Sequence, residues 1–348
     1  MMLIIFGIIM IYSSSNIWAK YKFDDSFKYV KQQILFFIMG LILIKVISKF
    51  DYRKYYSLAN KILIVCFILL ILVLIPGLGV IRNGSRSWFS LFGFSFQPSE
   101  ASKLGLIIFS AKYLSKQSKI NLKSVFPLLI ILFTTFGIIM LEPDFGTGMI
   151  LVVSIVALIF ISGLDLKYFY YLFFIGIIGI TLLIIVAPYR MDRITSFINP
   201  WKDPLGTGFQ IIQSLYAIGP GGLFGFGFLS SRQKHFYLPE PQTDFIFSII
   251  CEEFGIVGAL FIIALFIVFI FSSVKIMLSC KDLFAKYLVF GITFQIIIQA
   301  VLNLFVVVGL VPVTGVTLPF ISYGGSSLLL SMIGVGIILN IAKRNLDL

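Results

Sequence analysis

Long runs of Ile, Leu, Phe and Val, separated by short polar stretches, fill the chain almost from end to end. A helix needs about 20 apolar residues to cross ~30 Å of hydrocarbon at ~1.5 Å per residue. The runs predict spans near residues 2–18, 34–48, 62–80, 104–115, 126–141, 147–163, 168–187, 245–272, 284–310 and 326–342. The fourth is short and can extend back to Pro98. The predicted fold class is all-α: a polytopic integral membrane protein of about ten transmembrane helices, a single transmembrane domain over residues 1–348. The first run starts at the initiator Met and could pass for a cleaved signal peptide. It lacks a basic leading region, and Tyr12-Ser-Ser-Ser-Asn16 runs into Trp18 rather than a small-x-small cleavage site. It therefore reads as a retained helix.

Composition excludes a soluble alternative. Hydrophobic residues make up 59% of the chain and charged residues 12%, against about half and a quarter in soluble domains. A bilayer absorbs that excess because the solvent itself is apolar. The net charge of +12 does not point to nucleic acid, since the basic residues are scattered through short loops. Anionic lipid or a phosphate-bearing substrate is the partner class it suits. Cys66, Cys251 and Cys280 show neither disulfide nor metal spacing.

Loop charge predicts orientation. With the N-terminus cytoplasmic, the inner loops hold Lys49, Arg53, Lys54, Lys61, Lys112, Lys116, Lys119 and Lys123, followed by Lys167, Lys275, Lys281, Lys286, Lys343 and Arg344. Against these stand Asp51, Asp165, Asp282 and Asp347. The outer segments hold 11 basic residues against these 14, so the basic excess lies on the assumed inner side, as the positive-inside rule requires, with both termini in the cytoplasm. One outer connection is long, about residues 189–243. Its aromatics and its glycine clusters, Gly219-Pro-Gly-Gly222 and Gly225-Phe-Gly227, predict a large structured extracellular loop folded against the outer face, not a disordered linker.

Ionisable groups at membrane depth cost about 2.5–3.5 kcal/mol each and so mark candidate sites. Glu100 and Lys103 are three apart and share a helix face, which suits a structural ion pair as well as a functional one. Pro98 suits the first turn of that helix, with Gln97 or Ser99 as its cap. Asp244 lies where the long loop meets the eighth span. A partly desolvated carboxylate there can act as a general base. It can equally be a helix cap, and on spacing alone the cap is the stronger reading. Glu252 and Glu253, roughly 12 Å further along that helix, read as buried partners for cations on other helices. Arg86, Arg190, Arg193, Arg232 and Lys234 are suited to pyrophosphate, though interfacial snorkelling is the commoner fate of such cations. The glycine clusters read either as ligand-facing backbone or as tight turns. Glu142-Pro-Asp-Phe-Gly-Thr147 reads as an outer turn capping the next helix. His235 is the only histidine and has no assigned role.

Together these segments resemble the SEDS family (shape, elongation, division and sporulation proteins). The likeness is carried by Gly84-Ser-Arg-Ser-Trp88, Gln97-Pro-Ser-Glu-Ala-Ser-Lys103, Glu142-Pro-Asp-Phe-Gly-Thr147 and the stretch from Arg193 to Pro200. It continues through Gly219 to Gly227, Leu238 to Glu253 and Pro312 to Ser327. Leu74-Ile-Pro-Gly-Leu-Gly79, Pro-Glu-Pro-Gln-Thr-Asp244 and Pro312-Val-Thr-Gly315 are more similar to the FtsW and SpoVE branch than to RodA.

The resemblance implies a ten-helix peptidoglycan glycosyltransferase of the bacterial cytoplasmic membrane, serving division, sporulation or elongation. Such an enzyme polymerises lipid II at the outer face beside a class B penicillin-binding protein. It implies Asp244 as the catalytic carboxylate and Glu100 and Lys103 in a central polar cavity. Arg86, Arg193, Lys234 and Glu240 complete the expected substrate contacts. Ser87 stands where the family usually has a second basic residue, and Gln242 where many members have His. A divalent cation, Mg or Mn, suits the pyrophosphate, with no ligands named. The rival readings are a lipid II flippase, against which the lack of interrupted, paired helices counts, and a non-catalytic scaffold that activates the penicillin-binding protein.

Overall fold

The computed structural model describes residues 1–82, 84–91, 94–186 and 188–346. Asp347, counted above among the inner acids, lies outside the described residues. The helices are α1 (Met2–Phe23), α2 (Lys28–Ile47), α3 (Arg53–Leu74), α4 (Pro98–Ser115), α5 (Leu122–Leu141) and α6 (Phe145–Ile161). They continue as α7 (Leu166–Val186), α8 (Pro188–Ile198), α9 (Phe209–Ile218), α10 (Ile246–Ser279), α11 (Leu283–Val307) and α12 (Gly325–Leu346). Eight of them are long and apolar enough to cross a membrane: α1, α2, α3, α5, α7, α10, α11 and α12. The other two predicted spans are present as α6, which is apolar but only 17 residues long, and α4, interrupted by Glu100, Lys103 and Lys112.

Local chemistry sets the ends. Ile75 is extended ahead of Pro76, as a residue before proline must be, so α3 stops short of the predicted residue 80. Asn121 and Ser124 form a capping box on α5. Asp144 caps α6 by accepting from the Thr147 amide at 3.1 Å. Pro98 opens α4 at its first turn.

The fold is mostly helical, as the sequence predicts, and carries one small addition. Strands β1 (Val80–Arg82), β2 (Ser85–Leu91) and β3 (Phe94–Phe96) form a small antiparallel sheet in the order β1-β2-β3. β1 and β3 have only three residues each, and the seven of β2, Ser-Arg-Ser-Trp-Phe-Ser-Leu, do not alternate apolar with polar.

The chain divides into two compact units. One comprises Met1–Ile34, Leu166–Ile267 and Gln299–Gly324; the other comprises Leu35–Asp165, Val268–Ile298 and Gly325–Leu348. In the first unit, the long loop holds α8 and α9, and α10 is broken at Gly255, whose φ is +61°. The break frees backbone groups, which the glycine cluster satisfies. Phe226 and Gly227 donate to the carbonyls of Glu252 and Glu253 at 3.0 and 2.9 Å. Ile256 and Val257 donate to the carbonyls of Gly222 and Leu223 at 3.0 and 3.1 Å. The glycines at 222–227 are thus neither ligand-facing nor simple turns. They splice a broken helix, as backbone at membrane depth requires.

Candidate functional site

In the first unit, the segment before α10 is tied down from two directions. Asn303, fully buried on α11, donates its Nδ2 to the carbonyls of Asp244 and Val316, at 2.7 Å each. Tyr323 donates its amide to the Gln242 carbonyl at 2.8 Å. Asp244 itself is half-buried. Its carboxylate accepts from the Thr243 hydroxyl at 2.9 Å, and among the described residues no amide of the α10 first turn donates to it. The helix-cap reading therefore loses its bond.

Burial raises Asp244 to about 6. The Thr243 hydroxyl and the local backbone act against that rise, the Glu240 charge adds to it and Arg193 opposes it. This is a carboxylate poised to take a proton near neutral pH. Arg193 is exposed on α8 and also donates to the Val313 carbonyl at 2.9 Å. Glu240 is exposed in a left-handed conformation, φ 43°, with its carbonyl held by Thr243. The structure thus gathers Asp244, Arg193 and Glu240.

Lys234 behaves differently from the expected phosphate cation. It is 3% exposed and its Nζ sits 3.1 Å from Glu253 Oε1. The Ser13 hydroxyl and the Ser231 amide also donate to Glu253. Lys234 is a buried counter-charge, occupied by Glu253 rather than open to a pyrophosphate. Among the described residues Glu252 forms no ion pair: it accepts from the Ser231 hydroxyl and the amides of Arg232 and Gln233. The two glutamates thus hold the long loop onto the broken helix. Of the expected cation partners on other helices, only Glu253 meets a cation, and that cation, Lys234, lies in the loop and not on a helix. Arg232 lies over the Phe226 ring at 5.1 Å. It helps line an open cavity of about 490 Å³ with Ser230, Gln233, His235 and Tyr237. Arg190 donates to the Leu183 carbonyl at 2.8 Å.

In the second unit, Glu100 and Lys103 form the expected i,i+3 pair at 2.7 Å, 10% and 1% exposed at their side chains. Asp144 joins them electrostatically, its carboxyl raised by burial and by Glu100, and held down by Thr147 and Lys103. Gln97 and Ser99 donate to Asp144 at 2.7 and 3.3 Å, so neither caps α4. Glu142, weighed from sequence only as part of a turn, is fully buried, and among the described residues neither carboxyl oxygen has a hydrogen-bond partner. Burial, with help from Asp144, pushes it up to about 9, so it is a neutral acid at pH 7. Arg86, on β2, donates to the Leu74 carbonyl at 3.4 Å. Ser87 is buried beside Ser85 at 2.9 Å.

Asn303 and Asp144 were missed as site residues. For Asn303 a signal existed: Gln299 and Asn303 are polar residues four apart in an apolar run, the kind of placement that marks a functional position in a span. No group of three or more His, Cys, Asp or Glu side chains that could hold a metal occurs among the described residues. Glu240, exposed beside Asp244, fits the protein share of a divalent ion held mainly by phosphate.

The family profile described as cell cycle protein, covering FtsW, RodA and SpoVE, matches residues 1–346. The chain belongs to this family. It is 50% identical over 347 residues to stage V sporulation protein E of Bacillus subtilis, covering 99% of this chain and 94% of that protein. It is 39% identical over 342 residues to a protein of Geobacter sp. strain M18 named probable peptidoglycan glycosyltransferase FtsW, covering 97% and 93%. Among solved structures, it matches a chain of a peptidoglycan synthase complex studied for its coordination of polymerization and crosslinking. The TM-score is 0.78 at 29% identity, over 98% of this chain and 97% of that one. It also matches the rod shape determining protein RodA of Thermus thermophilus, with TM-score 0.72 at 26% identity, over 99% and 94%. The family and the apolar helices together make this a multi-pass protein of the cytoplasmic membrane.

Proposed function

We propose that the chain is a peptidoglycan glycosyltransferase that polymerises lipid II at the outer face of the cytoplasmic membrane. The observation that carries this reading is Asp244: a half-buried carboxylate, raised to about 6, at the junction of the outer loop and α10 beside Arg193. Asp244 takes the proton from the acceptor sugar hydroxyl. The hydroxyl oxygen bonds to the donor's anomeric carbon as the bond to the pyrophosphate oxygen breaks. The pyrophosphate leaves with the electron pair, and Arg193 is the nearby cation that favours its charge. An α-linked donor and a β-linked product make this one inverting displacement, for which one carboxylate base is enough.

Residues 189–243 face outside in this reading, and both termini face the cytoplasm. A class B penicillin-binding protein is the partner that crosslinks the product. A bound Mg or Mn ion would neutralise pyrophosphate charge, with Glu240 as the nearby protein carboxylate, leaving Asp244 free to take the proton.

The flippase reading gains one feature, the interrupted α10. Its freed groups are satisfied by the 222–227 backbone, so the break presents nothing to a cargo. The deciding experiment gives purified protein lipid II and looks for glycan polymer. Polymer supports the enzyme; translocation or partner activation without polymer supports a rival.

A further inference from the structure

In the second unit, the first turns of α3 lie against the last turns of α4. Tyr56 and Asn60 come from α3, Lys112 from the last turn of α4 and Lys116 from its C-cap. The two lysines are four apart and so share a helix face, where like charges repel. Both ammonium groups lie over the single Tyr56 ring, at 5.4 and 5.6 Å from its centre. Lys112 Nζ also donates to Asn60 Oδ1 at 2.9 Å. Among the described residues no carboxylate forms an ion pair with either lysine. Two acids of this unit are committed elsewhere: Asp51 pairs with Arg344 at 3.3 Å, and Asp282 accepts from the Phe284 amide at 3.1 Å. Two cations are therefore held together by one ring and one amide oxygen.

We propose that Lys112 and Lys116, framed by Tyr56 and Asn60, bind the phosphate of an anionic phospholipid headgroup. The position suits a lipid. Lys112 lies about 18 Å along α4 from Glu100, at the end of a membrane helix, where headgroups begin. A zwitterionic headgroup brings its own ammonium, which two lysines repel; an anionic one does not. This site stands apart from Asp244 and does not depend on the activity proposed above.

The test uses the full chain, purified in detergent with phosphatidylglycerol or phosphatidylcholine, and counts bound lipid by native mass spectrometry. Lys112→Gln/Lys116→Gln should lose roughly tenfold or more of the phosphatidylglycerol retained by wild type. Lys49→Gln/Lys54→Gln, with the same change in net charge, should retain it. Thermal unfolding checks the fold, and Lys116→Gln alone, at an exposed position, reads the site if the double variant melts early. Three results overturn the proposal: equal retention by the two double variants, retention of phosphatidylcholine as strong as phosphatidylglycerol, or displacement of the lipid by millimolar inorganic phosphate.

Discussion

At the scale of single residues, two carboxyls make opposite uses of burial. Asp244 is raised to about 6, so at pH 7 it is ionised and the fold carries the cost. Stability from the protonated form is full below the ordinary carboxylate range and is lost as pH rises to about 6. Asp244→Asn removes that cost. The variant should unfold at the same temperature as wild type or higher at pH 7, while polymer formation falls by about 10²–10⁴-fold. Wild-type activity should climb with pH through about 6. A helix cap would behave otherwise, with about 1 kcal/mol lost on Asp244→Ala and activity retained. Near-normal polymer from the Asn variant removes Asp244 from the mechanism. Glu142 is raised to about 9, so it is protonated at neutral pH and Gln copies it. Its contribution is full below about 4.5 and is lost progressively up to about 9. Glu142→Gln should match wild type in thermal unfolding at pH 4 and exceed it increasingly towards pH 9. A constant difference across that range would mean that Glu142 is ionised in the fold. Spacing made the Glu100–Lys103 pair legible, because both partners lie on one helix. Lys234 and Glu253 lie 19 residues apart across an irregular loop, and no periodicity connects them.

At the scale of elements, the spans were legible because hydropathy is a long-range average that survives local irregularity. The break in α10 was not. A glycine in an apolar run reads as an ordinary helix residue, and nothing local reveals that Gly222–Gly227 will dock on it. Gly255 adopts φ 61° and ψ −155°, a region open essentially to glycine alone. A Cβ there would lie 2.5 Å from the Leu223 carbonyl carbon and oxygen. Gly255→Ala should therefore cost at least about 1–3 kcal/mol from backbone strain alone, seen as earlier thermal unfolding in detergent. Gly176, within α7, has nothing within 4 Å of its Cβ position. Gly176→Ala should hold or gain stability, by up to about 1 kcal/mol in helix propensity. Equal effects at the two glycines would mean that the break does not persist in the protein.

At the scale of the whole molecule, the proposed orientation rests on charge distribution rather than on any one contact. Lys and Arg crowd the loops on the side of Lys49, Lys119 and Lys281, and moving them across the membrane is what the inserted protein avoids. The outer loop is the discriminating segment, because the proposed chemistry works only if Asp244 can reach a substrate on the outer face. Ser230 and Ser118 are both exposed and lie on opposite sides in the proposed topology. Cys66 and Cys251 are buried, and the half-buried Cys280 can be replaced to give a quiet background. In intact cells, a membrane-impermeant maleimide should modify a cysteine placed by Ser230→Cys and spare one placed by Ser118→Cys. Permeabilising the cells should expose the second site. Labelling in the reverse order would turn the loop inward. Asp244 would then face the cytoplasm, and polymerisation at the outer surface would lose its base.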